Sequence, residues 1–289
     1  MKTLKNVFEQ VVDYDNLYRA YLNARLCKRY RYEVLNFSAH LEDNLVKLQK
    51  ELIDRTYTLG KYREFYIYEP KKRLIMAQPF KDRVVQWAIY QVLNPVFAQG
   101  YITDSYACIK ERGTHKAVKR LHYWLRQVGK KPEKYYFLKL DISKYFYRID
   151  HDVLMGILKR KIRDDDMVFL LDKIVNSSET NFGLPPGKSP GEVKRSDRVS
   201  EKGMPVGNLS SQMFANLYLN ELDQYCKRML GIHFYVRYMD DVIILHQDKD
   251  QLHEWKRIID TFLKEKLQLD LNEKTCIRPI TLGVEFCGY

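Results

Sequence analysis

The sequence predicts an α+β fold in which antiparallel strands are backed by helices. Two apolar runs, residues 234–237 and 242–245, flank a tight turn and are typical of a β-hairpin. A third run, residues 135–140, is rich in aromatic and aliphatic side chains and predicts another strand. Apolar residues at helical spacing over 41–52 and over 214–229 predict helices that each bury one face.

The first part of the chain, residues 1–58, reads as a helical extension. Ser38 is the predicted N-cap of a helix whose leucines, over residues 41–52, recur at helical spacing. A basic stretch with interleaved tyrosines precedes it at residues 25–32. Such a stretch either grips a phosphate backbone or forms a solvated helix face, and the residues alone leave both open.

The next part begins with two predicted strands, residues 62–68 and 74–77, joined by a basic turn at 69–72. Residues 87–93 then predict a buried helix.

A polar segment at residues 176–202 is rich in glycine and proline, which predicts a long loop. This segment either contacts nucleic acid through its cations or is a disordered loop. The cations are Lys188, Lys194, Arg195 and Arg198. After it, one helical stripe is expected to pack under the sheet; it consists of Phe214, Tyr218, Leu222, Tyr225 and Met229.

Composition narrows the class of partner. The 289 residues carry a net charge of +12 with a pI near 9.3, which favours a polyanion such as nucleic acid. Five widely spaced cysteines without a Cys-x-x-Cys pair argue for reduced thiols in the cytoplasm and against a zinc site. No signal peptide and no apolar run long enough to span a membrane are evident.

Three carboxylates are the candidate chemistry. Asp240 and Asp241 occupy the tip of the predicted hairpin, and Asp141 ends the strand at 135–140. Like charges near a core are costly unless a positive charge neutralises them, and a divalent metal does so. Two Mg²⁺ ions, with Mn²⁺ as a substitute, suit an all-oxygen site that transfers phosphoryl groups. A solvated Asp-Asp turn and a helix-capping Asp141 are the plainer alternatives.

The chain resembles a reverse transcriptase in the order of its motifs. The matching segments are Lys71–Ile75 with Asp82–Gln86 (fingers), Asp141–Phe146 (first palm motif), Gly203–Gln212 (template handling), Tyr238–Asp241 (metal hairpin), Leu271–Thr275 (lysine motif) and Phe286–Tyr289 (primer grip).

The resemblance implies the right-hand polymerase fold, with fingers over residues 59–134 and a palm over 135–289. The family continues into a helical thumb, for which no candidate is seen before Tyr289. The implied activity is RNA-directed DNA synthesis, with template RNA, a primer, the RNA–DNA hybrid and deoxynucleotides as partners and substrates.

The resemblance also assigns roles to single residues. Asp141 and Asp240 are expected to bridge both metals, with Asp241 as the more peripheral ligand. Lys274 is the candidate proton donor to the leaving pyrophosphate, although a surface lysine is the commoner fate. Phe146 is expected to exclude a 2′-hydroxyl under the sugar, or simply to belong to the core.

Four further residues are expected to bind the nucleotide. By resemblance, Lys71 and Arg73 reach the triphosphate; without the palm motifs they would read as a solvated basic hairpin. Val206 and Gln212 stand where many relatives carry Gln and Pro, beside the templating base.

That substitution resembles the reverse transcriptases of diversity-generating retroelements, as do Ser105–Cys108 and Gly113–Ala117. This branch makes errors at template adenines and works with a small basic accessory protein. Two alternatives remain, an enzyme of a retron, group II intron or phage-defence system, and a polymerase fold that binds RNA without synthesis.

Overall fold

The computed structural model describes residues 3–69, 72–185 and 187–289. The chain forms two compact units, each built from two separate segments. The first unit comprises residues up to Gln99 together with Asp150–Phe214. The second comprises Gly100–Ile149 and Ala215–Tyr289.

Helices dominate the described chain, and the strands form two antiparallel sheets. The helices are α1 (Val7–Val12), α2 (Tyr14–Ala24), α3 (Tyr32–Ala39), α4 (Leu41–Ile53), α5 (Phe80–Gln99), α6 (Thr114–Val128), α7 (Tyr145–Arg148), α8 (His151–Lys161), α9 (Asp165–Val175), α10 (Leu209–Gln224) and α11 (Lys249–Leu267). The strands are β1 (Arg63–Ile67), β2 (Arg73–Ala77), β3 (Tyr136–Asp141), β4 (Phe234–Tyr238), β5 (Asp241–His246) and β6 (Cys276–Pro279).

Helix α2 shows how the N-terminal region is built. The Asp13 carboxylate caps the helix by accepting a hydrogen bond from the Asn16 backbone N–H at 3.1 Å. Leu17 and Tyr21 on its apolar face are buried, and the helix packs against α5. The predicted helical character of this region is confirmed, because α1 to α4 lie within it.

The predicted N-cap at Ser38 is wrong. Ser38 lies inside α3, where its hydroxyl donates to the Val34 carbonyl at 2.7 Å. Helix α4 begins after His40, which makes no side-chain cap. Leu45, Leu48 and Leu52 of the leucine stripe are buried as predicted.

The first unit also contains the two-stranded sheet. Strands β1 and β2 pair antiparallel, with Phe65 opposite Ile75. The buried Asp82 carboxylate of α5 accepts hydrogen bonds from the Tyr57 hydroxyl and the Gly60 N–H, each at 2.8 Å. These bonds tie the chain entering the sheet to α5.

The segment at residues 176–202 is a loop, as predicted, but it is folded onto the first unit. Gly183 bridges to Val199, and Phe182 is fully buried. Arg198 forms a bidentate pair with Glu64 at 2.7 and 2.9 Å, and Arg195 pairs with Glu179 at 3.1 Å. Intramolecular partners therefore hold both guanidinium groups.

The second unit is built on a four-stranded antiparallel sheet in the order β4-β5-β3-β6. Helix α6 covers one face with a cluster that includes Trp124 from the helix, Phe137 from β3 and Ile243 from β5. Helix α11 contacts β3 and β5, and the Tyr218 hydroxyl of α10 donates to the Leu267 carbonyl at 2.7 Å.

The predicted stripe of α10 is confirmed over most of its length. Phe214, Tyr218 and Leu222 are fully buried, and the Tyr225 ring stacks on Phe262 at 4.2 Å. Met229 is wrong as a core residue, since it is 74% exposed after the helix loosens into a π-turn. In the described chain all five cysteines are free, and none of the helices is long and apolar enough to cross a membrane.

Candidate polymerase site

Strand register brings two of the predicted carboxylates together. Asp141 ends β3 and pairs directly with Asp241, the first residue of β5. Residues directly opposite in an antiparallel pair project to the same face of the sheet. The two carboxylates therefore share one face at one end of the four-stranded sheet.

A two-residue turn carries the third carboxylate. Tyr238 pairs with Asp241, which leaves Met239 and Asp240 as the turn between β4 and β5. Met239 has a φ of 55°, a left-handed conformation that is unfavourable for a residue with a side chain. The Arg237 guanidinium stabilises this turn by donating to the Met239 carbonyl at 2.9 Å.

A buried ion pair lies beneath the turn. Arg237 and Asp223 of α10 are both fully buried and form a bidentate pair at 2.7 and 2.6 Å. Tyr235 donates its hydroxyl to the same carboxylate at 2.7 Å. Burial alone lowers the pKa of Arg237, but the Asp223 carboxylate outweighs it and the net shift is upward. Asp223 thus keeps the Arg237 guanidinium charged beneath the turn, in a pair that is neutral overall.

The Asp241 carboxyl has a raised pKa. Burial raises its pKa to about 6, against the opposing effect of Lys139 and of the Cys287 N–H. The Lys139 ammonium lies 4.0 Å from Oδ2, and the Cys287 N–H donates to that oxygen at 3.4 Å. The other oxygen, Oδ1, is buried and finds no hydrogen-bond donor in the described part of the chain.

The donor set suits a hard divalent cation. Asp141, Asp240 and Asp241 supply carboxylate oxygens, and a buried oxygen without a partner is the kind of ligand that a cation would satisfy. Within residues 3–69, 72–185 and 187–289, however, no three His, Cys, Asp or Glu side chains converge closely enough to hold a metal ion.

The segment that contains Lys274 is docked on the end of β3. The Asn272 N–H donates to the Asp141 carbonyl at 2.7 Å, and the Thr275 hydroxyl accepts from the Asp141 N–H at 3.2 Å. Lys274 lies between these anchors, and its side chain is exposed. Its backbone is therefore positioned close to Asp141, while its ammonium projects into solvent.

Phe146 lies on the short helix that follows Asp141. It is half-buried, with its ring edge-on to Tyr145 at 5.6 Å. Tyr145 is fully buried, and its hydroxyl donates to the Ala215 carbonyl at 2.6 Å. Tyr145 anchors this turn, which leaves part of the neighbouring ring accessible.

The remaining nucleotide-binding candidates belong to the first unit. Arg73 begins β2 and is exposed, whereas Lys71 lies outside the described residues. The Val206 carbonyl accepts from the Met76 N–H at 3.3 Å, so the template-handling segment lies along β2. Val206 and Gln212 are both half-buried.

A basic cavity of about 530 Å³ lies beside that segment in the same unit. Lys28, Arg31, Arg63 and Arg83 contribute its charge, and Arg83 Nη1 is buried without an acceptor in the described chain. Burial, followed by repulsion from Arg83 and Arg31, lowers the pKa of Lys28. Cations held together in this way favour an anion that would neutralise them.

The family comparison decides the class of this chain. The family model for reverse transcriptase (RNA-dependent DNA polymerase) matches residues 68–289, which is more than half of the sequence. The chain belongs to the reverse transcriptase family. The enzyme class that follows from membership is RNA-directed DNA polymerase.

Curated relatives of this reverse transcriptase are distant. Protein YkfC of Escherichia coli is 26% identical over 286 residues, covering 87% of this chain and 72% of that protein. The group II intron-encoded protein LtrA of Lactococcus lactis is 27% identical over 188 residues, covering 64% of this chain. The match spans only 28% of LtrA.

Solved telomerase structures share the fold. The apo telomerase of Candida tropicalis superposes with a TM-score of 0.53 at 14% identity, over 80% of this chain and 46% of that one. A second telomerase structure from the same organism, with a fragment of telomeric RNA, gives 0.53 at 13% identity, covering 84% of this chain and 46% of that one. The predicted α+β polymerase architecture is confirmed at this level.

The sequence analysis did not identify the buried residues beneath the turn between β4 and β5. Arg237 stands in an otherwise apolar strand, and a charge in such a run requires a buried partner. That signal was readable, but its partner Asp223 lies on α10 and could not be chosen from spacing alone.

Proposed function

We propose that this reverse transcriptase adds deoxynucleotides to a primer 3′-hydroxyl while copying a retroelement template RNA. The observation that carries the proposal is the strand register, which sets Asp141 opposite Asp241 beside the Asp240 turn. The family match supports the same chemistry.

Asp141, Asp240 and Asp241 would hold two Mg²⁺ ions, with Mn²⁺ as a substitute. Bound divalent cations activate an attacking hydroxyl and neutralise charge on the leaving pyrophosphate. Of the three ligands we assign Asp241 the peripheral role, because Lys139 and the Cys287 N–H already offset part of its charge.

Other residues would bind the triphosphate, select the sugar and protonate the leaving pyrophosphate. The exposed Lys274 ammonium would donate a proton to the pyrophosphate. The partly accessible Phe146 ring would lie under the sugar and exclude a 2′-hydroxyl. Lys71 and Arg73 would contact the triphosphate, where cations offset the charge of the phosphates.

Roles along the chain follow the family's order. We assign residues 1–58 to an N-terminal extension, 59–134 to the fingers and 135–289 to the palm. These ranges describe roles, whereas the compact units group segments by packing. The basic cavity around Lys28 and Arg83 would hold phosphates of the template RNA.

Within the family, we place the chain with the enzymes of diversity-generating retroelements. Val206 offers no side-chain amide beside the template, so a mispaired base would leave no buried polar group unsatisfied. Errors opposite template adenines and a small basic accessory protein belong to this proposal. The free cysteines support a reducing cytoplasm as its location.

A group II intron enzyme is the second candidate, since the similarity to LtrA favours it. The resemblance distinguishes the two at positions 206 and 212, since it implies Gln and Pro in intron enzymes where this chain has Val206 and Gln212.

Primer extension on matched RNA and DNA templates, with the products sequenced, tests the proposal. We expect synthesis on RNA with errors concentrated opposite adenine. Val206→Gln should reduce those errors about tenfold, the scale of one buried polar contact of ~1–2 kcal/mol. Errors spread evenly over four template bases would reject the diversity-generating assignment and leave the polymerase standing. If an accessory protein is needed, the same assay is run on the completed complex.

A further inference from the structure

Helix α6 has two chemically opposite faces. Four residues of α6 are buried in the cluster that covers the four-stranded sheet; they are Ala117, Leu121, Trp124 and Val128. The outward face is exposed along its whole length. Packing therefore explains one side of this helix and leaves the composition of the other unexplained.

The outward face is strongly basic. Residues 114–132 contain six Lys or Arg and no Asp or Glu. Arg120 is engaged by Asp104 at 2.8 Å, and Lys131 donates to the Tyr135 hydroxyl at 3.1 Å. Lys119, Arg126 and Lys130 are exposed and have no acidic partner in the part of the chain that the structure describes. Like charges on one helix repel, and no acidic side chain in the described residues offsets the charge of these three cations.

These three cations border a groove of about 410 Å³. Its lining is completed by Val118, His122, Tyr123 and Gln127. Tyr123 is 52% exposed, and the Gln127 side-chain amide donates to its hydroxyl at 2.8 Å. An exposed ring lies between cations, as in proteins that stack bases and hold phosphates.

We propose that the groove on α6 is a binding surface for single-stranded RNA, separate from the carboxylate site. Phosphates would lie on Lys119, Arg126 and Lys130, and a base would stack on Tyr123. An acidic protein segment would use the cations but leave the aromatic ring without a stacking partner, so RNA fits better. The choice of RNA among polyanions rests on the proposed function.

The surface extends away from the carboxylates. At the start of α6, the Thr114 hydroxyl donates to the Tyr238 hydroxyl at 3.0 Å, next to the Asp240 turn. Farther along, Trp124 packs edge-on against Phe234, at the opposite end of β4, at 5.5 Å. With a rise of ~1.5 Å per residue, Val128 at the end of α6 lies roughly 21 Å along the helix from Thr114, and Lys130 follows it. The groove would therefore bind RNA several nucleotides from the reacting end.

The test measures binding of a labelled single-stranded RNA of about 30 nucleotides, longer than one such groove accommodates. The test variant is Lys119→Glu, Arg126→Glu and Lys130→Glu combined. The matched control is Arg228→Glu, Lys249→Glu and Lys266→Glu, three exposed cations of the same unit with the same change in net charge. All proteins also carry Asp240→Asn and are assayed without nucleotide, so the result does not depend on polymerisation.

We expect the α6 triple variant to lose about 100-fold in affinity at low salt, with the salt slope reduced by about 2 for three lost phosphate contacts. Tyr123→Ala should weaken binding about tenfold without changing that slope. The RNA affinity of the control triple variant should stay within about threefold of the parent's, a change that its altered net charge explains. Equal losses in both triple variants, or wild-type affinity in the α6 variant at unchanged melting temperature, would overturn the proposal.

Discussion

Asp241 is one of the proposed metal ligands, and its buried charge also destabilises the folded protein. Its carboxylate is largely buried, and one oxygen lacks a partner within the described chain. Its pKa of about 6 means that the folded protein binds the proton more tightly than the unfolded chain, whose Asp pKa is ~4. The cost of the charged form is therefore fully present above pH 6 and disappears as pH falls toward 4.

Asp241→Asn should accordingly raise the melting temperature at pH 7 in EDTA, because the amide removes a buried charge. The gain should shrink as pH is lowered through 6, where wild-type Asp241 becomes neutral. Thermal unfolding from pH 4 to pH 8 measures this. Asp250→Asn, at an exposed acid of α11, is the control and should show no such trend. A gain that is constant across this range would contradict the assigned pKa.

The buried pair of Arg237 and Asp223 affects both the stability of the protein and the turn at Met239. Arg237→Met should destabilise the protein by about 3–5 kcal/mol, because it leaves Asp223 charged, buried and unpaired. Adding Asp223→Leu should restore most of that stability. The double variant should nevertheless polymerise poorly, since the Met239 carbonyl has lost its donor.

Denaturant unfolding and primer extension on the same two variants separate these effects. A double variant that regains both stability and full activity would show that the Arg237–Asp223 pair has no role in positioning the turn.

At the level of elements, alternation and turn chemistry identified the hairpin and β3 within one or two residues. The edge strand β6 was not anticipated, because only its pairing with β3 makes it a strand. Ser38 failed as a cap because serine also bonds within helices, and only the neighbouring backbone decides between the two. The sequence could not predict that Asp141 lies opposite the hairpin, because this depends on the pairing of β3 with β5 and not on spacing along the chain.

The folded loop at 176–202 depends on one close backbone approach. Gly203 has a φ of 90°, and a Cβ there would lie 2.6 Å from the Gly183 nitrogen and 2.8 Å from the Phe182 carbonyl carbon. Its carbonyl also accepts from the His151 ring at 2.8 Å. Gly203→Ala should cost about 2 kcal/mol or more, because neither the backbone conformation nor the space tolerates a methyl group.

The matched control is Gly191→Ala, in the same loop, where a Cβ meets no atom within 4 Å. Denaturant unfolding of both variants compares them directly. Equal stabilities would show that the loop is not held by this approach.

For the whole molecule, the fold and the family were readable from motif order, and both were confirmed by comparison. The chain carries a net charge of +12, and some of its cations line the basic cavity of the first unit and the outward face of α6. The same fold and the same positive charge would suit a module that binds RNA without synthesis as well as they suit a polymerase. Only the carboxylates at the end of the sheet distinguish an active polymerase from such a module.

The most direct test of this account is Mg²⁺-dependent extension of a primer on an RNA template by the wild type and by Asp240→Asn. We predict extension by the wild type and a loss of about 100-fold or more in the variant, because an amide would hold Mg²⁺ less tightly than the Asp240 carboxylate and the cation would supply the charge stabilisation. Melting temperature and RNA affinity should stay at wild-type levels. Undiminished extension by Asp240→Asn would contradict the assignment of the site, and an inactive wild type that still binds RNA would favour the binding module.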